Sequence, residues 1–141
     1  MGDDALECAL RALRHRDRSA HEVDRRLAER GFADEERRRA LEALVRTGIV
    51  DDARYAQSRA ESLAARGAGD GLIRHELAGA GLDAVLVDHV IASLEPELDR
   101  ARHIVEMRGV SAKTARYLQG RGYSHAAVAA AVATDGAREL R

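Results

Sequence analysis

A single cysteine, Cys8, leaves this chain no means of closing a disulfide within itself, so a reducing compartment is the natural expectation. Tryptophan is missing, and the only aromatic residues are Phe32, Tyr55, Tyr117 and Tyr123. A core must therefore be assembled from Leu, Val, Ile and Ala, which suit closely approaching helices. One proline, Pro96, interrupts 141 residues, leaving long stretches free to be helical. No apolar run approaches the roughly 18 residues that a membrane span requires. The first residues, MGDDALECALRALRHRD, are acidic where a secretion signal would be basic. A soluble, cytoplasmic protein with no membrane association is expected.

Catalytic and metal chemistry are also thinly represented. His15, His21, His75, His89, His103 and His125 are scattered and do not pair on one helix face, which argues against a zinc site. Cys8 has His15 and His21 near it in sequence, but reads as an ordinary buried thiol. The run GAGDG at 67–71 lacks the lysine and the preceding strand of a phosphate-binding loop, so it reads as a helix stop. No catalytic residues, metal or cofactor are expected.

What the chain does contain is a recurrence. Leucine, three residues, glycine and a bulky apolar residue occur as Leu27, Gly31 and Phe32, as Leu77, Gly81 and Leu82, and as Leu118, Gly122 and Tyr123. Such self-similarity marks tandem repeats. Helical spacing of Leu6, Ala9, Leu10 and Leu13 predicts a first helix over about 4–15. Ser19 and Glu22 form a capping-box signature ahead of Val23 and Leu27, and Gly31 stops that second helix. A third, from Asp34, buries Ala40, Leu41, Leu44 and Val45 and stops at Gly48.

The same series returns twice. Asp51 and Asp52 are available to cap a fourth helix, Ile73 and Leu77 take the places of Val23 and Leu27 in a fifth, and Asp83 caps a sixth. Pro96 opens a seventh, while Ser111 and Ser124 cap the eighth and ninth. The predicted units are 1–50, 51–95 and 96–134, followed by a tail, 135–141, without clear pattern. The fold expected is all-α: three tandem three-helix repeats stacked as an elongated, curved helical solenoid.

Charge is balanced overall but unevenly placed. Residues 1–50 hold eleven basic and eleven acidic side chains, 51–99 hold four against ten, and 100–125 hold six against one. Only one of the 23 basic residues, Lys113, is a lysine, a bias that reflects genome composition. In the first unit, Glu7 and Arg11, Glu22 and Arg26, Asp34 and Arg38, Glu35 and Arg39, and Glu42 and Arg46 stand four apart, acid first. Such pairs stabilise an exposed helix by about 0.2–0.5 kcal/mol each, so these arginines are expected to be largely matched. The third unit has only Glu106 to set against Arg100, Arg102, Arg108, Lys113, Arg116 and Arg121. Lys113 and Arg116 share a helix face beside Tyr117, a basic surface with an aromatic that suits phosphates or an acidic protein groove. The competing expectation is that these residues pair with the acidic middle unit of the same chain.

The segments SAHEVDRRLAERGF, ALEALVRTGIVDDARYA, LIRHELAGAGLD and KTARYLQGRGYSHAAVAAAV, in this order and spacing, resemble the RecX family of bacterial recombinase regulators. The resemblance runs from about Ala5 to Ala133, with GIVDDARYA its most specific element. It implies a protein without enzymatic activity that binds the RecA filament on single-stranded DNA within the helical groove. There it would limit RecA ATP hydrolysis, strand exchange and the co-protease activity of the SOS response. Weak binding to DNA alone and a monomeric state are expected with it. Arg37 and Arg59 depart from the family pattern, standing where an apolar and an aromatic residue are expected, and GAGDG replaces a more basic turn.

The surface expected to carry binding comprises Arg102, Arg108, Lys113, Arg116, Tyr117 and Arg121, and secondarily Arg25, Arg26 and Arg30. The alternative is a helix-turn-helix module that binds duplex DNA without RecA.

Overall fold

A computed structural model describes residues 4–139, with side chains over 4–133. The described residues form helices and no strands: α1 (Ala5–Leu13), α2 (Ala20–Glu29), α3 (Asp34–Arg46), α4 (Asp52–Ala65), α5 (Asp70–Gly79), α6 (Ala84–Ser93), α7 (Glu97–Arg108), α8 (Ala112–Gly120) and α9 (His125–Glu139). The helices pack in groups of three, each around its own cluster. Val23, Leu27, Leu44 and Val50 centre the first, Ile73, Leu77, Val87 and Val90 the second, and Val105, Leu118, Tyr123 and Val128 the third. Three tandem three-helix repeats follow.

Local chemistry sets the helix starts. The Ser19 side chain accepts from the Glu22 N–H at 3.1 Å, while Glu22 accepts from the Ser19 N–H at 3.0 Å, a complete capping box. Asp51, Asp83, Ser111 and Ser124 each accept from the amide three residues on. Asp52 has a different task, described below. Two differences from the sequence pattern stand out. First, α9 continues past Thr134 to Glu139, because its alanine-rich start has high helix propensity and propagates. The end of the expected tail, 140–141, lies outside the described residues. Second, Arg37 sits at a helix corner as a polar tie, donating to Asp24 at 2.9 Å, to the Phe32 carbonyl at 2.7 Å and to Asp34 at 2.7 Å.

Neighbouring repeats meet end to end through their second helices. At the start of α2, the Ser19 hydroxyl donates to the Ala80 carbonyl, which closes α5, at 2.7 Å. At the start of α5, the Gly69 N–H donates to the Arg121 carbonyl, which closes α8, at 2.8 Å, and the Gly71 N–H to the Gly122 carbonyl at 3.0 Å. The second joint thus brings free amides of one helix start to free carbonyls of another helix end, and at both joints a helix start meets a helix end, the favourable alignment of two helix dipoles. The row runs α8, α5, α2.

Each joint is locked by an acid from the first helix of the later repeat. Asp52 accepts from the Ala20 N–H at 2.8 Å. Glu97 accepts from the Asp70 N–H at 2.8 Å and, through its other oxygen, from the Ser124 hydroxyl at 2.7 Å. GAGDG is therefore more than a stop. A Cβ on Gly69 would lie 2.5 Å from the Tyr123 nitrogen, so only glycine lets the two backbones approach this closely.

Candidate nucleic-acid and protein interface

The expected basic surface divides once each side chain is placed. Arg100 does not belong to it. It is 8% exposed, donates to the carbonyls of Ala68 and Glu95 at 2.8 Å each, pairs with Asp70 and lies over the Tyr123 ring at 5.9 Å from its centroid. This is the pairing with the acidic middle unit that the charge distribution left open. It occurs because Arg100 takes the repeat position of buried Tyr55, three residues into the first helix. Arg102 is half-buried and lies 3.6 Å from Asp99. Arg121 reaches back across the joint, donating to the Arg66 carbonyl at 3.2 Å.

Arg108, Lys113 and Arg116 remain as a coherent exposed group around Tyr117. The Arg108 guanidinium stacks 3.5 Å from the centroid of the half-buried Tyr117 ring, a cation–π contact that orders the end of α7 against α8. Lys113 and Arg116 are exposed and have no carboxylate partner among the described residues. They lie one turn apart on α8, and Tyr117 follows Lys113 by four residues on the same side.

The first repeat divides differently from expectation. On α3 most arginines are matched, though not all with the partners that spacing gave: Arg37 pairs with Asp34, Arg38 with Glu35 and Glu42, and Arg39 with Glu35 at 3.2 Å, which leaves Arg46 without its expected Glu42. On α2 they are not. Arg26 lacks its expected partner because Glu22 is committed to the Ser19 amide and to Arg16 at 3.2 Å. Burial alone would push the Glu22 carboxyl up, yet the Ser19 N–H and the Arg16 guanidinium outweigh it and hold the group below its ordinary value. Burial, with the nearby Arg16 and Arg26 charges adding to it, depresses the Arg18 guanidinium. Arg25 and Arg30 are exposed, and with Arg26 they form no ion pair among the described residues. Sequence spacing missed this because a capping glutamate looks the same as a helix-face glutamate.

Cations thus gather on the second helices of the first and third repeats. The N-termini of α2 and α5 are occupied by the joints. Between the first and second repeats lies a cleft of about 660 Å³ lined by Arg16, Glu22, Tyr55, Arg59, His75 and Glu76, among others. Arg59 stands 3.7 Å from Glu76 there, which explains an arginine where the family pattern has an aromatic. Cys8 is buried and unpaired. Among the described residues no group of His, Cys, Asp and Glu could hold a metal ion, and no helix is long and apolar enough to cross a membrane.

Comparison with known proteins gives a consistent picture. Two family models match, described as RecX, first three-helix domain, over residues 5–44, and RecX, second three-helix domain, over residues 51–91. A curated relative from Trichlorobacter lovleyi, named regulatory protein RecX, is 33% identical over 135 residues, spanning 85% of this chain and 88% of its own. Its namesake from Halorhodospira halophila is 34% identical over 137 residues, spanning 90% and 85%. The crystal structure of RecX from Lactobacillus salivarius superposes with a TM-score of 0.79 over 92% of this chain and 93% of that one, at 15% identity, a likeness of fold.

Proposed function

Because the chain belongs to the RecX family of regulatory proteins, we propose that it binds the RecA recombinase assembled on single-stranded DNA and restrains it. In this reading the protein is a regulator without catalysis of its own. It lies in the groove of the filament, lowering RecA ATP hydrolysis, strand exchange and SOS co-protease activity. The observation that carries the proposal is the exposed pair Lys113 and Arg116, without acid partners and flanked by Arg108 on Tyr117. Cations in this state neutralise phosphates or an acidic groove without first breaking an internal ion pair. Arg25, Arg26 and Arg30 supply a second contact two repeats away, so a tandem chain can engage several protomers of a helical polymer and gain affinity by multivalency. Arg102 and Arg121 support the surface from its edge, each already engaged within the chain.

The test is RecA ATPase on single-stranded DNA with substoichiometric protein. Lys113→Glu with Arg116→Glu is expected to relieve inhibition while leaving the thermal melt nearly unchanged, since both side chains are exposed. Undiminished inhibition by that variant sinks the assignment of this face. Charge reversal at Arg121 is the poorer probe, because it disturbs a joint. The competing reading is a helix-turn-helix module, which tight sequence-dependent binding to duplex DNA without RecA would favour.

A further inference from the structure

The second helices form a row joined end to end, and their residues can be aligned one repeat onto the next. Leu27, Leu77 and Leu118 are equivalent, and two residues before them stand Arg25, His75 and Arg116. All three are exposed. One turn beyond each, on the same side, come Glu29, Gly79 and Gly120.

The two glycines are unexpected. They lie inside helices, near the last turn, where glycine costs about 0.5–1 kcal/mol relative to alanine. Neither has a positive φ, and a Cβ on either would meet nothing within 4 Å. No packing among the described residues therefore requires them. What they leave is open helix backbone beside an exposed basic side chain, on both the middle and the third repeat.

The middle position also opens onto the cleft at the first joint, whose lining includes both His75 and Gly79. Its walls carry Arg16 and Arg59, each held to an acid, Glu22 and Glu76 respectively. Asp17, the third carboxylate lining the cleft, pairs with Arg54 at 3.3 Å, so each acid there is matched by an arginine, and His75 is the basic-type side chain at the aligned position.

We propose that a single nucleic-acid strand lies along the row α8, α5, α2, its phosphates meeting Arg116, His75 and Arg25 in turn, with Gly120 and Gly79 admitting the strand close to the helix backbone. This rests on the reading above for its ligand class, and it adds a path through the repeat that composition alone would call repulsive. The middle rung is the weak one, since a histidine stands there where the outer rungs are arginines.

The experiment measures binding of fluorescent oligo-dT to the full chain without RecA, by anisotropy across a salt series. His75→Arg is expected to tighten binding several-fold and to steepen the log–log salt slope by about 0.7, the increment for one phosphate contact on a single strand. Arg25→Glu and Arg116→Glu should each weaken binding and flatten the slope. Gly79→Gln and Gly120→Gln should raise the thermal midpoint and yet weaken binding, opposite signs that a merely structural role would not produce. Unchanged affinity and slope for His75→Arg, with Arg116→Glu weakened, would show that the strand does not cross the middle repeat and overturn the path. Loss of RecA inhibition in Arg25→Glu and Arg116→Glu, with oligo-dT binding intact, would assign the face to protein and overturn it also. If the oligo-dT results hold while the wild-type chain fails to inhibit RecA, the path stands and the RecA reading falls.

Discussion

The joint between the first and second repeats and the joint between the second and third use the same repeat positions but different materials. At the first, a serine hydroxyl reaches the closing carbonyl of the next helix; at the second, a glycine amide does so directly. At the first, the ring of exposed His21 lies where a Cβ on Gly81 would fall, while at the second the backbone at Leu72 and Tyr123 crowds Gly122 and Gly69. Tyr55 occupies one joint, where burial and the neighbouring Glu22 carboxylate push its phenol up; buried Arg100 occupies the other. A joint closed by side chains can yield by rotating them. One closed by backbone cannot.

Four measurements by chemical denaturation would break or sharpen this contrast, and the glycines should give the largest effect. Gly122→Ala places a Cβ 2.4 Å from the Leu72 nitrogen at a φ of +89°, so it should cost at least about 3 kcal/mol, strain and clash together. Gly31→Ala meets nothing and should cost about 1–2 kcal/mol from the left-handed backbone alone, while Gly81→Ala also meets the His21 side chain, its Cβ at 2.5 Å, and should fall between Gly31→Ala and Gly122→Ala. Equal losses at Gly81 and Gly122 would erase the distinction. Next, Arg100→Ala removes the partner of Asp70 and of two buried carbonyls and should cost about 2–3 kcal/mol, against about 1 kcal/mol for Tyr55→Phe at the matching position.

Third, Ser19→Ala loses both a helix cap and the bond to Ala80, for about 1–2 kcal/mol. The smallest effect is the pH response of the second joint. His103, where the first joint's repeat has Ser58, bonds Glu95 at 2.8 Å, and that contact, with the Glu95 charge, raises its pKa above the ordinary 6.5. A raised value in the folded state means that the contribution is full below about pH 6.5 and fades as pH rises through the higher value. Replacing His103 with Gln should flatten stability against pH in that window; an unchanged profile would remove His103 from the joint.

The individual helices were legible because each carries its own signals within a turn or two. Ser19 with Glu22, Asp83, Ser111 and the stop glycines are local chemistry, and the folded chain uses them as read. The joints were not legible, since they link residues 61 apart in the case of Ser19 and Ala80. Nothing local separates a glycine that ends a helix, such as Gly31, from one that admits a neighbouring backbone, such as Gly69. The same holds for charge. Arg100 and Arg116 look equally unmatched in their own segment, and only the alignment of Arg100 with Tyr55 reveals that the first points into a joint. Arg26 shows the reverse error, a pair written in the sequence but dissolved when Glu22 turned to cap its helix.

The acid that locks each joint also says where the row can end. Asp52 and Glu97 are the first residues of α4 and α7, and the corresponding first residue of α1 is Ala5. A second copy approaching the exposed start of α8 would therefore bring no carboxylate to the amide after Ser111, and the head-to-tail contact that builds the chain would be missing its clasp. Linear repeats carry a standing risk of growing into fibres, and the acid that clasps both internal joints has no counterpart at Ala5.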